Sequence, residues 1–158
     1  MLAGPDSRDI EVVEKLLAAR YSCRAFKPDP VPREIIERVL SAAQKTASWC
    51  NSQPWQVTIF SGDAVKAFGE AMYKAASERA PPVTDFDFPR EYKGVYLDRR
   101  RESGFQLYNA LGIPRGDKAG YNKQMLENFR FFGAPHVAII TSDEALGTYG
   151  AIDCGGYV

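Results

Sequence analysis

From Ser7 onward the chain alternates between stretches with a helical period and stretches with none. Ile10, Val13, Leu16 and Leu17, widened by Val12, recur at the spacing of one helix face. Ser7 and Asp9 are candidate caps and Glu11 suits a first turn, so a helix is predicted to end near Arg20. Ile35, Ile36, Val39, Leu40 and Ala43 make a second stripe, with Glu34, Glu37, Arg38 and Lys45 off it. Pro32 suits its first turn, and it stops around Gln44 to Thr46. A third helix is predicted over Asp63–Glu78, carrying Val65, Phe68, Ala71, Met72 and Ala75 on one side. A fourth covers about Tyr92–Leu111, ended by Gly112 and Pro114, and a fifth covers 116–132. Trp55–Phe60 and Pro135–Thr141 read as strands. The last eleven residues, from Thr148, are rich in small side chains. As a helix they would permit close approach at the propensity cost of three glycines.

The aperiodic stretches are as informative. Pro28, Pro30 and Pro32 mark an irregular link. Thr46–Trp55 has no period but carries short polar side chains that favour turns, with two tryptophans. Residues 80–91 hold Pro81, Pro82 and Pro89 with Phe86 and Phe88 among acids, and read as a long loop of the kind that often forms a lid.

Composition narrows the partners. The 158 residues are enough for one domain with a core. Twenty basic and twenty acidic residues cancel, which argues against nucleic acid as a main partner. No run of about eighteen apolar residues is present, and the N-terminal stretch does not read as a secretory signal. Cys23, Cys50 and Cys154 are far apart, without CxxC spacing, so free thiols in a reducing cytoplasm are expected and a metal site is not. Neither GxGxxG nor GxxxxGK[ST] occurs. The single histidine, His136, opens a predicted strand with no acid or cysteine nearby in sequence and reads as structural. Arg99, Arg100 and Arg101 cannot share one helix face, so most are expected to be solvated or paired.

One stretch remains chemically distinctive: Arg20-Tyr21-Ser22-Cys23-Arg24-Ala25-Phe26. In an extended backbone Arg20, Ser22 and Arg24 fall on one face. Two guanidinium groups and a hydroxyl with no acid among them suit a phosphate. Read alone, the stretch fits a solvated basic turn as well.

The ordered set Arg20-x-Ser22-x-Arg24-x-Phe26, Ser48-x-x-Asn51-x-Gln53-Pro54-Trp55 and Asn128-Phe129-x-Phe131-Phe132-Gly133-Ala134-Pro135 resembles the nitroreductase family, FMN-dependent oxidoreductases. The resemblance runs from about residue 10 to the last residue. It implies an α+β fold, a three-layer α/β/α sandwich around a mostly antiparallel sheet. It also implies a single domain over residues 1–158, with an inserted loop and helix region at about 80–115. The family's domain continues past residue 158, so the resemblance implies a domain incomplete at its C-terminus. By the same resemblance, Arg20, Tyr21 and Ser22 belong to the motif that holds the FMN phosphate and ribityl end. Arg24 lies near the pyrimidine edge, where a cation stabilises the reduced ring. Ser48, Trp49 and Asn51 reach the flavin of the other subunit, and Asp153 contacts that partner's flavin. Asn128 contacts the isoalloxazine edge, with Arg130 a weaker candidate nearby. No catalytic acid, base or nucleophile is implied. The implied activity is ping-pong hydride transfer from NAD(P)H to nitroaromatics, quinones or similar acceptors in a homodimer. Other flavin chemistry on the same fold (reductive dehalogenation or flavin fragmentation) and a non-catalytic flavin-binding fragment are the alternatives. Trp49, Tyr92 and the 80–91 loop would either shape the acceptor pocket or pack as core and lid.

Overall fold

The structure is a computed structural model that describes residues 7–78 and 81–158. The first six residues of the N-terminal stretch and Ala80 of the predicted loop lie outside them. The described residues form six helices and two strands in the order α1 Ser7–Ala19, α2 Arg33–Ala43, β1 Gln56–Ser61, α3 Asp63–Ser77, α4 Val95–Ala110, α5 Lys118–Leu126, β2 His136–Thr141 and α6 Gly147–Tyr157. Short 3₁₀ segments occupy Trp49–Asn51, Glu127–Gly133 and Glu144–Leu146. The strands pair antiparallel, from Gln56 opposite Thr141 to Ser61 opposite His136. The architecture is therefore α+β, as expected, with a small antiparallel sheet among the described residues.

Packing around the sheet is aromatic. Phe60 of β1 stacks on Phe68 of α3 with ring centroids 4.8 Å apart, and Phe68 meets Phe131 at 5.3 Å. Trp55, just before β1, meets Tyr157 of α6 at 4.9 Å. Among the described residues, Trp55, Val65, Leu126 and Tyr157 are large apolar side chains that are buried. Val65 and Phe68 both lie on the face predicted for α3.

Two predicted helices have different bounds. The fourth begins at Val95, not Tyr92, because Gly94 precedes it with φ 51° and ψ −135°, outside the helical region. The span 116–132 is not one helix. Asp117 caps α5 by accepting from the Gly120 N–H at 2.9 Å, and α5 ends at Leu126. The chain then tightens into a 3₁₀ segment in which Phe131 and Phe132 are left-handed, with φ 55° and 53°. That conformation is uncommon for a bulky side chain. Here the reversal is accompanied by Phe131 packing against Phe68, a contact between segments more than sixty residues apart that no local period encodes.

A large apolar surface stays uncovered. The chain exposes 13144 Å², against roughly 7,900 Å² for a compact monomer of this mass. The apolar stripe of α1 is in the open: Leu16 and Leu17 are each 66% exposed.

Candidate functional site

The basic stretch leaves α1 directly. The Arg20 N–H donates to the Leu16 carbonyl at 3.1 Å, completing the last turn of α1. Six residues on, the Phe26 N–H donates to the Phe132 carbonyl at 3.1 Å. This bond ties the stretch to the 3₁₀ segment and not to a strand. Between these anchors Arg20, Tyr21, Ser22 and Arg24 are exposed. The Arg24 guanidinium donates to the Ser22 carbonyl at 3.2 Å. Among the described residues no carboxylate forms an ion pair with Arg20 or Arg24. Permanently charged groups left without a carboxylate are what an anion site requires.

The left-handed turn at Phe131 and Phe132 sets what Arg24 faces. A cavity of about 210 Å³ is lined by Arg24, Leu107, Tyr108, Gln124, Met125, Asn128 and Phe132. Arg24 and Asn128, expected from separate motifs, thus share one site. The Asn128 Nδ2 donates to the Met125 carbonyl at 2.7 Å, which leaves its Oδ1 as the free acceptor. Pockets that enclose a whole cofactor start at about 300 Å³. This cavity therefore suits one edge of a planar ring, which fits part of a flavin.

The remaining expected residues form a second cluster around Trp49–Asn51. Cys50, Asn51 and Gln53 are left-handed, with φ 51°, 55° and 46°, a strained run held by side chains on several sides. The Ser48 Oγ accepts from the Gln53 N–H at 2.9 Å. The Asn51 Oδ1 accepts from Gln53 Nε2 at 2.9 Å. Gln44 Nε2 donates to Gln53 Oε1 at 2.8 Å, and Gln44 Oε1 accepts from Trp55 Nε1 at 2.8 Å. Asp153 is only 9% exposed, and both its carboxylate oxygens lie 3.1 Å from the Trp49 N–H. In this chain its carboxylate braces the turn from behind. The Trp49 ring, 61% exposed, leans on Tyr149 with centroids 5.0 Å apart. Among the described residues, no hydrogen bond or ring contact joins this cluster to the Arg24–Asn128 cavity.

Other residues singled out by sequence have local partners. Arg130, the weaker flavin candidate, lies 3.6 Å over the Tyr73 ring and 3.8 Å from the Glu127 carboxylate. That places it on the α3 side, at the rim of a larger cavity of about 520 Å³ that holds none of the other expected residues. Arg100 sits over the Tyr92 ring at 5.2 Å. His136 is a brace: its Nε2 accepts from the Val31 N–H at 2.8 Å, and its Nδ1 faces the Ser61 hydroxyl at 2.7 Å. No group of three or more His, Cys, Asp or Glu side chains could hold a metal among the described residues. No described helix is long and apolar enough to cross a membrane. Sequence reasoning missed Tyr108 and Gln124. Gln124 precedes Asn128 by four positions, the spacing of one helical face, and that signal was available.

Comparison with known proteins identifies the family. A family model described as the nitroreductase family matches residues 17–158. Nitroreductase NfnB of Mycolicibacterium smegmatis is 41% identical over 143 residues, covering 87% of this chain and 58% of its own length. Nitrobenzene nitroreductase of Ectopseudomonas oleovorans is 36% identical over 137 residues, covering 85% and 60%. The solved FMN-dependent nitroreductase NfnB from Mycobacterium smegmatis in complex with NADPH superposes with a TM-score of 0.85 at 36% identity, over 94% of this chain and 67% of that one. The chain thus spans about three fifths of the length of these curated relatives.

Proposed function

The chain belongs to the nitroreductase family, and from that premise we propose that it binds FMN and serves as an NAD(P)H-dependent reductase of nitroaromatics or quinones. The observation that carries this reading is the shared cavity. Arg24 and Asn128, more than a hundred residues apart, meet there through the Phe26–Phe132 backbone bond. The solved relative named as FMN-dependent and in complex with NADPH supports the choice of cofactor and reductant.

When bound, FMN supplies the hydride chemistry. The chain's own residues hold it and tune its surroundings. Arg20 and Ser22 grip the phosphate and ribityl end, with the Tyr21 backbone between them. Arg24 places a cation beside the pyrimidine edge, where it favours the reduced, anionic ring. Asn128 offers its free Oδ1 to that edge. Ser48, Trp49 and Asn51 face the flavin of a second copy in a homodimer, with Asp153 holding their turn. The separation of the two clusters supports this shared site, since neither alone surrounds a ring. Three free thiols support a reducing, cytoplasmic setting.

The test is spectroscopic. The purified protein should take up FMN, lose the flavin's visible absorbance when NADPH is added without oxygen, and recover it on adding nitrobenzene or a quinone. Absence of flavin uptake sinks the reading. Bleaching without recovery by either acceptor moves the activity to other flavin chemistry.

A further inference from the structure

The Arg24 cavity contains a polar group that neither motif accounts for. Gln124 is half-buried there, and its carboxamide makes no hydrogen bond among the described residues. Its surroundings are well braced. One turn earlier on α5, Tyr121 stacks on Tyr108 of α4 with centroids 4.1 Å apart. The Tyr121 hydroxyl accepts from the Gly116 N–H at 2.8 Å. One turn later, Asn128 is held by the Met125 carbonyl. Tyr121, Gln124 and Asn128 thus lie along one helical face, with the central residue free to bind.

The chemistry of a flavin's pyrimidine edge says what such a group is for. That edge alternates a carbonyl, an N–H and a second carbonyl. A guanidinium only donates, so Arg24 can satisfy a carbonyl but never the ring N–H. A ring N–H left unpaired on burial costs about 1–3 kcal/mol. Asn128 has one of its two amide N–H groups on the Met125 carbonyl and brings one acceptor and one N–H. The unbonded carboxamide of Gln124 adds a further donor and acceptor at the same edge, so that both carbonyls and the ring N–H can be met together.

We propose that Gln124 is a flavin-binding residue that completes recognition of the pyrimidine edge beside Arg24 and Asn128; this rests on the FMN reading above. Two substitutions test it, read by FMN fluorescence titration and by the midpoint potential of the bound flavin. Gln124→Ala removes the donor and should weaken FMN binding roughly fivefold to tenfold, the range of one neutral hydrogen bond. Gln124→Glu is nearly isosteric, so it carries the test should the alanine variant fold poorly. Its carboxylate would oppose a ring carbonyl and pair with Arg24, drawing the cation from the flavin. It should weaken binding more than alanine does and lower the midpoint potential, a readout that a merely structural role for Gln124 would leave unmoved. Wild-type affinity and potential in the glutamate variant would overturn the assignment while leaving the FMN reading intact. Failure of the unsubstituted protein to bind FMN would remove both.

Discussion

Arg20 and Asp153 illustrate two ways a polar residue serves a site. Arg20 is exposed and forms no ion pair with a carboxylate among the described residues, so its charge is available to a ligand. Losing a charge-assisted bond to phosphate removes about 1.5–3 kcal/mol. Arg20→Ala should therefore weaken FMN binding between ten- and a hundredfold in a fluorescence titration, with little change in thermal stability. Unchanged affinity would remove the phosphate assignment. Asp153 is the opposite case, buried and committed to the Trp49 N–H. Asp153→Ala leaves that donor without its partner and should cost about 2 kcal/mol in urea unfolding. Asp153→Asn keeps an oxygen in place and should restore most of the loss. Equal effects of the two substitutions would argue that the carboxylate is not the brace of the turn.

At the scale of elements, the 3₁₀ segment after α5 does most to place the site, and α3 is what it packs on. Gly69 of α3 marks the contact. A Cβ there would meet Phe131 Cε2 at 3.4 Å and the Phe129 carbonyl at 3.5 Å. Those are ordinary contact distances, so Gly69→Ala should be tolerated and can gain up to about 1 kcal/mol from helix propensity. Gly69→Leu has no such room. It should push the segment off α3 and lower stability by roughly 2 kcal/mol or more. Because Phe131 and Phe132 sit in that segment, the leucine variant should also weaken FMN binding. A leucine variant as stable as wild type would show that α3 and the segment are not closely packed. Phe131→Ala should act in the same direction, at about 2–3 kcal/mol, since it removes the ring that accompanies the left-handed turn.

For the whole molecule, the uncovered surface sets the expectation. The exposed α1 stripe, with Trp49, Tyr149 and Ile152 on another face, is apolar area in contact with water. Burying apolar surface is worth about 25 cal/mol per Å², so a second copy covering a standard patch has ample driving force. In sedimentation velocity the protein should run as a dimer at micromolar concentration. Leu16→Glu with Leu17→Glu should shift it toward monomer and, because the flavin site is proposed to be shared, lower FMN affinity as well. Persistence of an unchanged dimer would show that α1 lies outside the interface.

The amino-acid sequence by itself determined the local elements and the family. Apolar spacing placed α1, α2, α3 and both strands within a few residues, because those patterns repeat within the chain's own period. The basic stretch stood out in the sequence because guanidinium chemistry belongs to the residue, wherever it sits. His136 read as structural, and it is a brace. What tertiary structure decided is everything set by contacts between distant segments. Phe131 meeting Phe68 accompanies the break in a segment read as one helix. The Phe26–Phe132 bond brings Arg24 to Asn128, and the same turn puts Gln124 beside them. Asp153 was expected at a flavin; burial against Trp49 gives it a backbone partner in its own chain. The first set of features is encoded by neighbours in sequence. The second depends on free energy gained only when remote side chains meet, and no periodicity along the chain records that.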